Sequence, residues 1–210
     1  MAHILITSGP TREYLDPVRY LTNASSGRMG AALAQAALER GHQVTLVSGP
    51  VQITYPPQAQ VVRVVTTEEM LQACQELFPR CDGLIGAAAP CDYRTRRVSP
   101  EKIQKTGQPL LLELVETPDV VATLGQQKGD RWMVGFALET DDQRFRALTK
   151  MEQKSCDLMV LNGPEAMQAD TNSVEVLDPG GRTLARLQGT KLHVARGLLR
   201  IIQQRLIGPQ

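Results

Sequence analysis

The 210-residue chain sets 23 Lys plus Arg against 22 Asp plus Glu, a net charge of +1. That balance excludes a broad basic surface for nucleic acid or an anionic membrane, so any cationic cluster must be local and serve a small anionic ligand. The four cysteines, Cys74, Cys81, Cys91 and Cys156, show neither CxxC nor Cys/His spacing, which indicates neither a metal site nor a disulfide framework. No stretch approaches the roughly 18 apolar residues of a membrane span, and no signal-peptide core opens the chain, so a cytoplasmic protein is expected. The length suits one α/β domain with its own core, and no repeat or linker-like shift divides residues 1–210.

Short β-branched runs alternate with amphipathic stretches, which predicts a Rossmann-like, mostly parallel twisted sheet with helices on both faces. His3–Thr7 reads as the first strand. A long Gly/Ser/Pro-punctuated loop follows, and Met29–Arg40 reads as a helix stopped by Gly41. Gln43–Ser48 and Val61–Val65 are strands, and Thr67 caps a helix through about Leu77 with Glu69 in its first turn. Gly83–Ala87 is a buried strand, followed to Pro109 by a polar, Lys/Arg-rich loop without a period. Leu110–Val115 is strand-like. Thr117-Pro118-Asp119 caps a helix with Pro at its first position. Met133–Ala137 is a strand, Asp142–Lys154 a helix and Leu158–Leu161 a strand. Val174–Leu177 and Thr183–Leu187 flank the turn Asp178-Pro-Gly-Gly181 as a C-terminal antiparallel hairpin, and Lys191–Leu206 is a closing amphipathic helix.

Ligands of open α/β sheets lie beyond the carboxyl ends of the strands, and four unusual segments fall there. Asn23-Ala-Ser25-Ser26-Gly27 precedes the first helix, where small residues leave N–H groups free for phosphate oxygens, or simply begin a Gly/Ser-capped helix. Ala87-Ala88-Ala89-Pro90-Cys91-Asp92 lets a ligand approach the backbone and offers Asp92 as an acceptor, or is tight packing at a strand end. Cys91 has no base partner in the sequence and reads as a bystander thiol. Pro100-Glu-Lys102-Ile-Gln104-Lys105 is either solvated surface or a basic loop that closes over a triphosphate. Val134-Gly-Phe136-Ala-Leu-Glu139-Thr140 is followed by Lys150 and Lys154, four apart on one helix face, where a solvated stripe is the plain alternative. An NAD(P)-dependent reductase is disfavoured, because the first turn lacks GxGxxG and the second strand ends in Ser48-Gly49-Pro50 without a ribose-binding acid. A non-catalytic nucleotide-binding module is the other rival.

In order along the chain, TSGPTREYLDPVRYLTNASSGRMG, AAAPCDYR, PEKIQK, ETPDVV, VGFALET and the lysine pair resemble phosphopantothenoylcysteine synthetase of the bacterial, CTP-using type. In many bacteria that enzyme is the C-terminal half of a bifunctional protein with a flavin-dependent decarboxylase. The resemblance implies a homodimer that joins 4′-phosphopantothenate to L-cysteine through an acyl-cytidylate. It implies catalytic roles for Lys102, in nucleotide transfer, and for Asn23. Substrate contacts are implied for Arg19 (reaching the neighbouring subunit's site), Asn23, Ala88, Ala89 and Asp92. Nucleotide contacts are implied for Ser25, Ser26, Gly27, Asp92, Lys102, Pro118, Asp119, Val120, Val121, Phe136, Lys150 and Lys154. Mg²⁺ would arrive with CTP, since the sequence offers no dedicated metal cage. Gln104 departs from the family's Lys-Ile-Lys-Lys pattern, so no cation acts at that position.

Overall fold

The structure is a computed structural model that describes residues 1–138, 142–162 and 171–208. Its main sheet contains β1 (His3–Ser8), β4 (Gln43–Ser48), β5 (Gln60–Arg63), β6 (Gly83–Gly86), β9 (Trp132–Leu138), β10 (Leu158–Asn162), β11 (Thr171–Leu177) and β12 (Thr183–Thr190). The spatial order is β12-β11-β10-β9-β6-β1-β4-β5. Pairing is parallel from β5 to β10 and antiparallel through β11 and β12. The C-terminal hairpin therefore extends the sheet. Two small hairpins stand apart from it, β2 (Arg12–Tyr14) with β3 (Tyr20–Thr22) and β7 (Tyr93–Thr95) with β8 (Leu114–Glu116).

Strand alternation divides the core into two layers. Ile4, Ile6, Val44, Leu46, Ile85, Val134, Leu158, Val160, Val174 and Val176 face one way. There they pack on α1 (Arg28–Leu38) and α5 (Lys191–Ile202), through Leu33, Ala34, Ala37, Val194, Leu198 and Leu199. The intervening Leu5, Val47, Leu84, Met133, Met159 and Leu161 face the opposite layer. That layer holds α2 (Thr67–Leu77), α3 (Val120–Gly125) and α4 (Gln143–Gln153). A period of two in the strands thus meets a period near 3.6 in the helices on both sides. Each fully buried Leu or Ile contributes about 1.5–3 kcal/mol against exposure. Among the described residues no helix is long and apolar enough to cross a membrane.

Several local expectations shift. Thr66, not Thr67, caps α2: its hydroxyl accepts from Glu69 N–H at 3.1 Å while the Glu69 carboxylate accepts from Thr66 N–H at 3.3 Å. This reciprocal box leaves Thr67 as the first helical residue. Pro118 is not at the first position of α3, because Asp119 is the cap and accepts from Ala122 N–H at 2.9 Å. The loop before α1 contains the β2–β3 hairpin, on which the Arg12 guanidinium lies 4.5 Å from the Tyr20 ring centre. The loop after β6 likewise contains β7, and its partner strand is only Leu114–Glu116, not Leu110–Val115. Three-residue strands are too short for alternation to register. The closing helix ends as an α-helix at Ile202 and continues as a π-helical turn, Gln203–Ile207. Glu139 and Thr140 lie outside the described residues.

Close contact fixes α1 on β1. A Cβ on Gly30 would lie 2.1 Å from Ser8 Oγ, so the helix can approach the strand only with glycine there. Gly30→Ala is expected to cost about 1–3 kcal/mol by overpacking. The check is a lowered urea midpoint with an unchanged slope of unfolding free energy against urea.

Candidate functional site

From β1 the chain proceeds to β4 and β5 on one side and then returns to β6, β9 and β10 on the other. The switch point therefore lies between β1 and β6, where such sheets open a crevice beyond the strand ends. The two chains stay together past their strands: Ala89 N–H donates to Gly9 C=O at 2.9 Å, and Pro10 and Ala89 form a parallel bridge. Ala88 N–H donates to Thr7 Oγ1 at 3.2 Å.

Beyond the bridge the 88–92 segment is held by side chains from three directions. Thr11 Oγ1 accepts from Cys91 N–H at 2.8 Å and shares a 2.8 Å hydrogen bond with Thr67 Oγ1. Thr67 and Thr117 hydroxyls both donate to Cys91 C=O, at 3.3 and 2.5 Å. Buried Glu13 accepts from Thr67 N–H at 2.8 Å. Asn23 Nδ2 donates to the carbonyls of Ala89 and Pro90, at 3.3 and 2.8 Å. The Asn23 side chain is thus oriented by the segment whose ligand contacts the resemblance implied. Cys91 is buried, and burial, reinforced by the Glu13 and Asp92 charges, raises its thiol above the ordinary range. It does not act as a thiolate at neutral pH.

The entry to α1 is set by a second buried network. Gly27, the residue before the helix, has φ +74° and no side chain caps the helix N-terminus. Its carbonyl accepts from Ser8 Oγ at 3.2 Å. Ser8 Oγ accepts from Tyr55 OH at 2.9 Å, and Tyr55 OH also shares a 2.7 Å bond with Ser48 Oγ. A Cβ on Gly27 would meet Val51 at 2.9 Å, besides requiring a strained backbone. No acidic residue occupies the first turn of α1. The helix N-terminus therefore presents the positive end of its dipole.

Two adjoining cavities make up the cleft. The first, about 430 Å³, is lined by Asn23, Ser25, Ser26, Gly27, Ala88, Ala89, Phe136 and Lys150, and also by Arg28, Asn162, Asn172 and Lys191. The second, about 290 Å³, is lined by Glu116, Pro118, Asp119, Val120, Val121 and Lys154. Ala88, Pro90, Asp92 and Phe136 belong to both. Among the described residues charge is divided unequally: Arg28, Lys150 and Lys191 line the first cavity against the shared Asp92, whereas Glu116 and Asp119 join Asp92 in the second against Lys154. Lys150 and Lys154, four residues apart at the end of α4, serve different cavities. Lys154 Nζ pairs with Asp119 Oδ2 at 2.9 Å. Burial alone would raise the Asp119 carboxyl, but the Ala122 N–H and Lys154 hold it below the usual range.

Arg19 and Lys102 line neither cavity. Arg19 pairs with Asp16 at 3.2 Å, and its Nη2 donates to Ile103 C=O at 2.5 Å. Lys102 is exposed on the adjacent loop. Sequence reasoning missed Arg28, Asn162, Asn172 and Lys191. Asn162 is the last residue of β10, so the rule of ligands at strand ends would have found it. Asn172 and Lys191 carry no such signal. Among the described residues the buried Oδ1 atoms of Asn162 and Asn172 have no hydrogen-bond partner, and Asn172 is only 5 % exposed.

The fold and cleft define a doubly wound α/β protein with a helix-headed, cation-lined cavity at its switch point. The chain belongs to the DNA/pantothenate metabolism flavoprotein C-terminal domain family, whose profile matches residues 1–206. It is 38% identical over 207 residues to the coenzyme A biosynthesis bifunctional protein CoaBC of Haemophilus influenzae, covering 97% of this chain and 52% of that protein. The chain thus spans about half the length of the curated relatives it matches. A crystal structure of the C-terminal domain of CoaBC superposes with a TM-score of 0.84 at 35% identity, covering 98% of this chain and 95% of that one. A Cab2 H337A mutant in complex with phosphopantothenate-cysteine shares the fold, with a TM-score of 0.84 at 17% identity over 98% of this chain and 86% of that one.

The Asp119–Lys154 contact yields a pH test. A carboxyl whose folded pKa lies below its unfolded value of about 3.9 stabilises the fold above that value, and the contribution is lost as pH falls through the folded pKa. Asp119→Asn keeps a capping oxygen but removes the charge. The melting-temperature advantage of the unmodified protein over this variant should be full near neutrality and shrink below about pH 4. An advantage constant down to about pH 2.5 would contradict the assignment.

Proposed function

We propose that the chain is a phosphopantothenate–cysteine ligase of coenzyme A biosynthesis, acting through an acyl-cytidylate. The observation that carries this reading is the pair of oppositely charged cavities meeting at Ala88, Pro90, Asp92 and Phe136. A nucleoside triphosphate, a phosphomonoester and a carboxylate bring roughly five to six negative charges to one site. The α1 N-terminus with Arg28, Lys150 and Lys191 offers the local compensation that a net charge of +1 lacks globally. Carboxylates at Asp92, Glu116 and Asp119 suit groups that donate, such as a base-edge amine. The Cab2 complex with phosphopantothenate-cysteine, on the same fold, supports the substrate class.

In this mechanism the 4′-phosphopantothenate carboxylate attacks the α-phosphorus of CTP and pyrophosphate leaves. The amine of L-cysteine then attacks the acyl carbon, CMP departs, and the amine loses a proton. The Ser25 hydroxyl, the Ser26 and Gly27 N–H groups and Lys150 hold phosphate oxygens, while Pro118 to Val121 and Lys154 frame the base. Asn23, fixed through Nδ2, orients the substrate by accepting from its amide N–H with the side-chain oxygen. Lys102 neutralises charge as pyrophosphate leaves, and Arg19 assists the substrate. Among the described residues no cluster of three His, Cys, Asp or Glu forms a metal cage. Asp92, which lines both cavities, is a hard oxygen donor, which fits Mg²⁺ carried on a triphosphate with few protein ligands. When bound, that ion would neutralise phosphate charge.

A homodimer is part of the proposal. Val18, Tyr20, Tyr93, Val98, Leu110, Leu111, Leu112 and Leu114, all on the two hairpins and their loops, are large apolar side chains left exposed, Leu111 at 92 %. Arg19 and Lys102 lie on the same arm. Leu111→Asp should shift the particle mass measured by light scattering towards the monomer; an unchanged mass would remove this arm from the interface.

The reaction is tested by pyrophosphate release with 4′-phosphopantothenate, L-cysteine and Mg²⁺, supplying CTP or ATP in parallel. Phosphopantothenate-dependent release with CTP alone is expected, and ATP serving equally would overturn the nucleotide assignment. Lys102→Gln should lower pyrophosphate release by about 10²-fold or more. Asn23→Asp should preserve that step and impair amide formation. Normal acyl-cytidylate accumulation in Lys102→Gln would exclude the role given to that lysine.

A further inference from the structure

The turn between β2 and β3 contains a carboxylate that neither cavity accounts for. Asp16 is completely buried. Its Oδ1 accepts from Val18 N–H and Arg19 N–H, both at 2.8 Å, which closes the turn. Its Oδ2 accepts from Ile103 N–H at 3.1 Å, 87 residues away, and lies 3.2 Å from Arg19 Nε as an ion pair. Three backbone N–H groups and one ion pair thus engage the two oxygens. Arg19 Nη2 meanwhile donates to Ile103 C=O. The amide and the carbonyl of Ile103 are therefore both gripped by one ion pair.

Ile103 is where the basic loop is fastened. Residues 101–102 and 104–114 are exposed, while Ile103 between them is half-buried. The loop's stem is tied by Ser99 N–H to Leu15 C=O at 2.9 Å, by Thr95 Oγ1 to Tyr14 C=O at 3.2 Å and by Arg96 N–H to Glu113 C=O at 2.9 Å. Between Gln104 and Leu112 the hydrogen bonds among the described residues are local, Gln104 to Lys102 and Gln108 to Thr106. Burial opposes a charge on Asp16, yet three backbone N–H groups and Arg19 keep its carboxyl below the ordinary range. The clasp is thus ionised near neutrality.

We propose that Asp16 is a positioning residue for Lys102, setting the basic loop's place through the Ile103 peptide. The kinetic part of this proposal rests on the ligase reading; the structural part does not. Asp16 touches no cavity and has no chemical role. It decides where the neighbouring lysine starts from when a nucleotide binds, and Arg19, bound to the same peptide, moves with it.

Two variants break the clasp from opposite sides. Asp16→Asn keeps one oxygen for the turn but turns an NH₂ towards Ile103 N–H and Arg19. Ile103→Pro removes the loop's donor and leaves Asp16 intact, so it covers the case in which Asp16→Asn fails to fold. Trypsin cleavage after Lys105 in the full chain should accelerate by about tenfold or more in each, with melting temperatures close to the unmodified protein, because local opening is what the protease detects. The double variant should be no faster than the faster single one. Unchanged cleavage in both would overturn the clasp whatever the protein's activity. In the ligase assay, kcat for pyrophosphate release should fall about tenfold or more in Asp16→Asn while KM for CTP stays within about threefold. Faster cleavage with unchanged kcat, or a loss confined to KM, would overturn the positioning role. Inactivity of the unmodified protein would reject the ligase reading, leaving the clasp to be judged by proteolysis alone.

Discussion

The parallel approach of β1 and β6 at the centre of the sheet is the constraint on which the rest depends. Chain on one side of the pair moves off to β4 and β5, and chain on the other to β9 and β10, so the connections diverge and leave a gap at the carboxyl ends. Because the two strands stay hydrogen-bonded through Gly9 and Ala89, the gap has a rigid floor. Asn23 reaches that floor from the β2–β3 side, and the threonine network around Cys91 holds it from beneath. Moving either strand by one residue would exchange the two core layers and remove the floor together.

Electrostatics explain why a nearly neutral chain can offer a site for multiply charged ligands. Cations and a helix N-terminus gather at one cavity and carboxylates at the next, a separation that net charge conceals. Arg28 belongs to α1, Lys150 to α4 and Lys191 to α5, so the positive cavity draws on both helical layers.

The main sheet and helices were legible in the sequence because each is long enough to show its period, as in Gln43–Ser48, where the strand bounds agree to the residue. Helix termini were less so. Thr66 and Thr67 are both capable caps, and only the reciprocal bond with Glu69 selects the first. Leu110–Leu112 has strand-like composition but lies exposed, since β7 is only three residues long and pairs further on. Strand propensity expresses a fit to neighbours, and those leucines stand largely exposed.

Of the site, the motifs at strand ends and the helix-capping glycine were readable, since local chemistry demands small residues where backbone N–H groups are exposed and φ is positive. The sequence by itself determined the alternating α/β class, the two faces of each strand and the family. Only the tertiary structure decided that Lys150 and Lys154 part into different cavities, that Asn162 and Asn172 face a common space, and that Asp16 grips a peptide 87 residues away. Local periodicity encodes which face a residue occupies; it does not encode which distant segment will be brought against that face.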